Sequence, residues 1–160
     1  MKTITGYKGD LIQEIKQGKH DIIVHCVDCS NHWEERDSLS AELDKIFNLR
    51  LLTPRGFFTQ NNYDLLGHVT FSETFVGHLD KIIKIVTCFT SLNQKSNNSE
   101  HRINYTALAL CLQKVAYHYK GQTVTMGALA SNGQKADKTK VQQIIKEYLQ
   151  PYCNIKIVIQ

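Results

Sequence analysis

The sequence predicts an α/β fold: a three-layer α/β/α sandwich around a mixed, mostly parallel sheet of about six strands. Three observations predict it. Strand-like and helix-like patterns alternate through most of the chain. The run Ile22-Ile23-Val24 is continuously apolar, as in a strand buried on both faces. The segment 105–119 places apolar residues at helical spacing over several turns.

Each element has its own signal. Ile4–Tyr7 is a short strand. Leu11–Gln17 is a helix with Leu11, Ile12 and Ile15 on one side, ended by Gly18. Asp21–Val27 is the buried strand. Ser38–Phe47 is a helix with Leu39, Leu43, Ile46 and Phe47 on one stripe. Residues 48–66 read as irregular, with Pro54, Gly56, Asn61 and Asn62 as turn formers. Val69–Phe75 alternates like a strand, and Lys81–Phe89 is another. Residues 91–102 are polar and form a surface loop. Asn104 caps a helix that runs to about Tyr119. Thr123–Leu129 is a strand, Asp137 caps the last helix, Pro151 stops it, and Asn154–Ile159 is a terminal strand.

Composition narrows the function. The chain has 160 residues, 42% of them hydrophobic and 21% charged, which suits one domain with a real core. No segment is long and apolar enough for a membrane span. Met1-Lys2-Thr3-Ile4-Thr5 lacks the apolar stretch of a secretion signal. The formal charge of +4 suits an anionic small molecule, and no Lys/Arg block marks a nucleic-acid path. Five cysteines, several within apolar runs, imply a reduced, cytoplasmic compartment. Cys26-Val27-Asp28-Cys29 has Cys-x-x-Cys spacing but ends a strand and lacks two further ligands, so neither a metal nor a redox role is expected.

The chemistry concentrates in two early stretches. Tyr7-Lys8-Gly9-Asp10-Leu11-Ile12 runs from a strand through Gly-Asp into a helix. Ile23-Val24-His25-Cys26-Val27-Asp28-Cys29 ends a buried strand in polar and reactive side chains. An α/β protein builds its ligand crevice in such places, at the carboxyl ends of its strands. Asp10 also has a purely structural reading. With Gln13 three residues on, it fits an N-cap in a capping-box arrangement. His25 and Cys26 fall on opposite faces by strand alternation, and a strand histidine is more often a satisfied core residue than an acid or base.

These two stretches, with Ile85-Val86-Thr87-Cys88-Phe89-Thr90-Ser91 and a helix around Tyr105, resemble the macro domain family in order and spacing. The likeness spans nearly the whole chain. It is nearest to small stand-alone members of the ADP-ribose-1''-phosphate phosphatase-like group. The resemblance implies binding of ADP-ribose or a related NAD-derived adenine nucleotide. It also implies hydrolysis of a group on the distal ribose: a 1''-phosphate, an acyl ester or an ADP-ribosylated side chain. The alternatives are a non-catalytic module that reads ADP-ribosylated protein or sequesters the nucleotide, and an interaction protein retaining only the fold. No further cofactor is implied.

By the same resemblance, Asp10 takes the adenine amino group, within a turn that includes Gly9, Leu11 and Ile12. Asp28 stands where the family has the asparagine that holds the distal ribose. Asp28, His25 and His32 are the candidate acid–base groups. Ser38 starts a helix beside the phosphates, and Phe89 is expected to flank the ligand. Ser131, Asn132 and Gly133 would form a second phosphate loop. The departure from the family is the run Ser30-Asn31-His32-Trp33-Glu34-Glu35-Arg36-Asp37-Ser38, which has no glycine and three acids where bare backbone should meet a diphosphate.

Overall fold

The computed structural model describes residues 2–29, 38–49, 65–91, 103–129 and 136–160. The strands are β1 (Ile4–Lys8), β2 (Ile22–Asp28), β3 (Val69–Val76), β4 (Lys81–Ser91), β5 (Thr123–Gly127) and β6 (Asn154–Ile159). The helices are α1 (Leu11–Lys16), α2 (Ser38–Phe47), α3 (Tyr105–His118) and α4 (Lys138–Ile144), the last continuing as a π-helical turn over Ile145–Leu149. In that turn the Gln150 N–H reaches back five residues to the Ile145 carbonyl at 2.9 Å.

The six strands form one sheet in the order β1-β6-β5-β2-β4-β3. All neighbours are parallel except β3, which runs antiparallel to β4 at the edge. The predicted α/β/α sandwich with a mixed, mostly parallel sheet is therefore the observed architecture. β2 lies between β4 and β5, and the chain passes from β4 across β2 to β5, so the strand order turns at β2 and β5. Such a turning point, at the carboxyl ends of the strands, is where open α/β sheets hold ligands.

Two apolar layers flank the sheet, and the strand periodicity decides which residue enters which. Ile22, Val24 and Cys26 pack under α3 and α4 with Leu108, Leu112 and Val141. Ile23, Val27 and Cys29 pack under α1 and α2 with Leu11, Ile15 and Leu43. All seven residues of β2 are buried, as its apolar run required.

The caps are those the sequence marks. Asn104 accepts the Ala107 N–H at 2.9 Å, and Asp137 accepts the Thr139 N–H at 2.9 Å. Gly18 ends α1 at φ 75°, a left-handed conformation that a side chain would strain. Two strand ends differ from expectation. β4 runs on to Ser91, because Asp28 of β2 pairs with Ser91 after a register shift at Val27. β5 stops at Gly127, its last residue paired with β6, rather than at Leu129.

Candidate functional site

Five parallel strands deliver their carboxyl ends to one pole of the sheet. There lie Gly9 and Asp10 after β1, Asp28 and Cys29 at the end of β2, Ser91 at the end of β4, and Gly127 to Leu129 at the end of β5.

The β1–α1 turn is tightly built. The Gly9 N–H donates to the Ile159 carbonyl at 3.0 Å, tying the turn to the end of β6. A Cβ on Gly9 would lie 2.9 Å from Glu14 Oε2 and 3.3 Å from both Tyr7 Cε2 and Val158 Cγ1. Only glycine fits there without displacement. Asp10 Oδ1 accepts the Gln13 N–H at 3.1 Å, so the capping role is real. The residue is exposed, and this bond uses only one carboxylate oxygen, so a cap and a ligand contact are compatible. Leu11 and Ile12 point their side chains into the core, 1% and 4% exposed. What they can offer a ligand is the main chain of the turn, not their side chains.

A polar network that the sequence does not advertise supports this turn from below. The Tyr7 hydroxyl donates to Glu14 Oε1 at 2.9 Å. His20 Nε2 lies 3.7 Å from the same oxygen, and its Nδ1 is 3.1 Å from Thr125 Oγ1. Burial holds His20 below its ordinary pKa, although Glu14 pulls the other way. Burial and the adjacent Glu14 raise the Tyr7 hydroxyl. The network joins β1, α1, the start of β2 and β5, elements far apart in the chain.

At the end of β2, Asp28 is only 6% exposed and lies beside Ser91 of β4. The Cys29 N–H donates to the Ser91 carbonyl at 2.9 Å and fixes that pairing. Thr90 and Ser91 are almost wholly buried, and their hydroxyl oxygens have no hydrogen-bond partner among the described residues. Buried hydroxyls are normally satisfied, so such a pair at a strand end is a mark of a polar site. These two residues were missed from sequence. The signal was there: the apolar run of β4 closes on two small hydroxyl residues.

His25 sits elsewhere. It is 1% exposed, with Nδ1 2.9 Å from Ser40 Oγ and Nε2 2.7 Å from Thr87 Oγ1. Burial pushes its pKa down to about 4, partly offset by the Asp44 carboxylate one turn along α2. Both ring nitrogens are engaged within the core, where the imidazole stitches α2 to β2 and β4. Phe89 is wholly buried in the layer under α1 and α2, so its side chain is part of the core and has no free face to flank a ligand. His32, Ser131, Asn132 and Gly133 lie outside the described residues. So does the side chain of Ser38, whose place at the start of α2 is as expected.

Cys26 and Cys29 do not meet. Three residues apart on a strand, they enter opposite layers. Burial first, and then the Asp28 charge, push the Cys29 thiol up to about 12. Among the described residues no cluster of His, Cys, Asp and Glu is arranged to hold a metal ion.

One groove opens near the turn. About 400 Å³ in volume, it is floored by Gly127, Leu129, Ile157 and Ile159 and walled by Val141 of α4 and Ile145 of the π-helical turn, with Lys138 and Gln142 among its polar lining. Ile159, whose carbonyl holds Gly9, is part of that floor. A largely apolar groove with a few polar groups is the usual form of a small-molecule site.

No protein-family model matches the sequence, and no curated protein does. Solved structures do match. The macrodomain of Mycobacterium tuberculosis DarG superposes with a TM-score of 0.69 at 17% identity, covering 99% of this chain and 97% of that one. A protein from Bacteroides thetaiotaomicron gives 0.68 at 17% identity, over 100% and 99% of the two chains. This chain has the macrodomain fold. Thermosipho africanus DarTG in complex with ADP-ribose gives 0.71 at 11% identity, covering all of this chain and 42% of DarTG. Identities this low establish the fold. In this chain, chemistry has to be argued from the strand ends themselves.

Proposed function

We propose that this macrodomain binds ADP-ribose, or a related NAD-derived adenine nucleotide, across the carboxyl ends of its strands. Adenine would lie at the Gly9–Asp10 turn, over the apolar groove beside Ile159, with Asp10 accepting from its amino group. The distal ribose would lie at the ends of β2 and β4. One observation carries this reading: Asp28 pairs across the strands with Ser91, and the Thr90 and Ser91 hydroxyls at that strand end have no hydrogen-bond partner among the described residues. A ribose offers hydroxyl groups that both donate and accept, which suits a carboxylate residue paired with a hydroxyl residue at the strand ends.

The same arrangement supports hydrolysis of a group on that ribose. Asp28 would accept the proton of an attacking water, or orient that water, as the bond to a phosphate, acyl group or protein side chain breaks. His25, with both nitrogens engaged in the core, is a support for β2 and α2 in this reading. A second reading, a binding module without turnover, is favoured by the acidic, glycine-free run Ser30–Asp37, which is a poor phosphate cradle.

Titration calorimetry with ADP-ribose tests binding, and the absence of heat at millimolar ligand would sink both readings. A time course of phosphate, acyl ester and ADP-ribosyl-glutamate release then separates enzyme from module. Asp28→Ala should abolish turnover. If turnover survives it, Asp28 is not the base. Ser91→Val should weaken binding, and unchanged affinity would remove β4 from the site.

A further inference from the structure

The polar group beneath the β1–α1 turn holds one unsatisfied atom and one side chain able to gain a proton. Glu14 Oε2 is buried and has no hydrogen-bond partner among the described residues. It lies against Gly9, 2.9 Å from the place a Cβ would take. The other oxygen, Oε1, accepts the Tyr7 hydroxyl at 2.9 Å and lies 3.7 Å from Nε2 of the buried His20. The Glu14 main chain is tied both ways. Its N–H donates to the Asp10 carbonyl and its carbonyl accepts the Lys19 N–H, each at 3.0 Å. One carboxylate thus stands between the turn and the imidazole, with an oxygen toward each.

We propose, on the reading that adenine lies at this turn, that Glu14 positions the Gly9–Asp10 main chain for its ligand and that a proton on His20 weakens that hold. At 3.7 Å, His20 and Glu14 are too far apart for a hydrogen bond, whereas a charged imidazole and a carboxylate settle at about 2.8 Å. A protonated His20 therefore draws Oε1 toward itself by about 1 Å, and Oε2 leaves Gly9 with it. The turn loses the wall that fixes its main chain, and an adenine held there is held less well. Both nitrogens of the charged ring donate, and Nδ1 keeps Thr125 Oγ1, 3.1 Å away, so the ring stays in place as it gains the charge.

The groups around His20 set the range in which this happens. Tyr7 of β1 faces it at 3.5 Å, Glu14 faces it from α1 and the uncharged Thr125 from β5. Lys19 precedes it in the chain, and Lys156 acts on it from β6. Burial holds the imidazole below its ordinary range, Glu14 opposes that, and the two lysines add to it. His20 is therefore neutral at neutral pH and takes its proton on the acid side of 6.5. Affinity at the turn falls over the same range, and by reciprocity a bound ligand makes His20 harder to protonate.

Calorimetry with ADP-ribose on the full chain should give an affinity about fivefold weaker at roughly pH 5.5 than at roughly pH 7.5, the low end of ordinary coupling between sites. His20→Gln, which cannot take the proton, should remove that difference. Glu14→Gln should remove it too, since it keeps an acceptor for Tyr7 but offers His20 no charge. A merely structural role for the pair would lower affinity alike at both pH values. In the ligand-free protein, the Gly9 amide resonance should follow the His20 ring resonances through the titration. Absence of binding at either pH removes the adenine reading and this coupling with it. Binding that is independent of pH, that tightens in acid, or that weakens in acid by as much in His20→Gln overturns the coupling alone, and so does a Gly9 resonance that ignores His20.

Discussion

Acidification should destabilise this protein through His25, by an amount its environment sets. The imidazole is buried, and its pKa falls from an ordinary 6.5 to about 4. Above pH 6.5 the ring is neutral in both the folded and unfolded chain. Between the two values the unfolded chain binds a proton that the folded chain refuses, so stability falls as pH falls. Below about 4 both states are protonated and the loss is complete. At about 1.4 kcal/mol per pH unit, the full loss is about 3 kcal/mol. About 2 kcal/mol of it should appear between neutral pH and roughly pH 4.5.

Carboxylates and His20 titrate over part of the same range, so the measurement is a difference. His25→Gln removes the titration but leaves an amide beside Ser40 and Thr87. The variant should be less stable than the parent at neutral pH, because it satisfies those hydroxyls less well. Urea unfolding of both proteins across the acid range should show the gap closing as pH falls. A gap that stays constant down to roughly pH 4.5 would refute the reasoning, since His25 would then be no more costly to protonate folded than unfolded.

Two further outcomes test the packing. Gly9→Ala should cost about 1–3 kcal/mol, because its methyl meets Glu14, Tyr7 and Val158 at once. ADP-ribose affinity should fall with it if the turn holds adenine, and a variant with parental melting and affinity would contradict the tight turn. All five cysteines are buried, and the Cys29, Cys88 and Cys153 thiols are all raised. An aromatic disulfide reagent should therefore find no fast thiols in the native protein and five in denaturant, and a rapid native reaction would show an exposed sulfur.

The fold was legible because its signals are local. Gly18, Asn104 and Asp137 mark helix ends within a few residues of the elements they bound, and the apolar run of β2 states its double burial. Strand alternation even separated His25 from Cys26 in advance. Of the candidate site, the sequence marks the part that one turn carries, the cap and tight backbone at Gly9 and Asp10. Asp28 and Ser91 are brought together by a parallel register with a shift at its end, and no local pattern encodes that neighbour. Tyr7, Glu14, His20 and Thr125 likewise meet only once β1, α1 and β5 are in place. Phe89 misled for the opposite reason. Large aromatics near a strand end suit a ligand or a core equally, and the α1–α2 layer claimed this one.

The two polar networks tie together the elements that carry the strand ends. The Tyr7–Glu14–His20 group sets the height of the β1–α1 turn, and His25 with Ser40 and Thr87 ties α2 to β2 and β4. Both lie in the layer under α1 and α2, where hydrogen bonds fix geometry more narrowly than aliphatic contacts do. The strand ends at the proposed crevice are thus braced by side chains that bond one another beneath it. On the proposed reading, an acid at Asp28 changes the chemistry of the crevice without moving the scaffold. Damage to either network should do the reverse: it should cost stability and affinity together, whichever group the ribose carries.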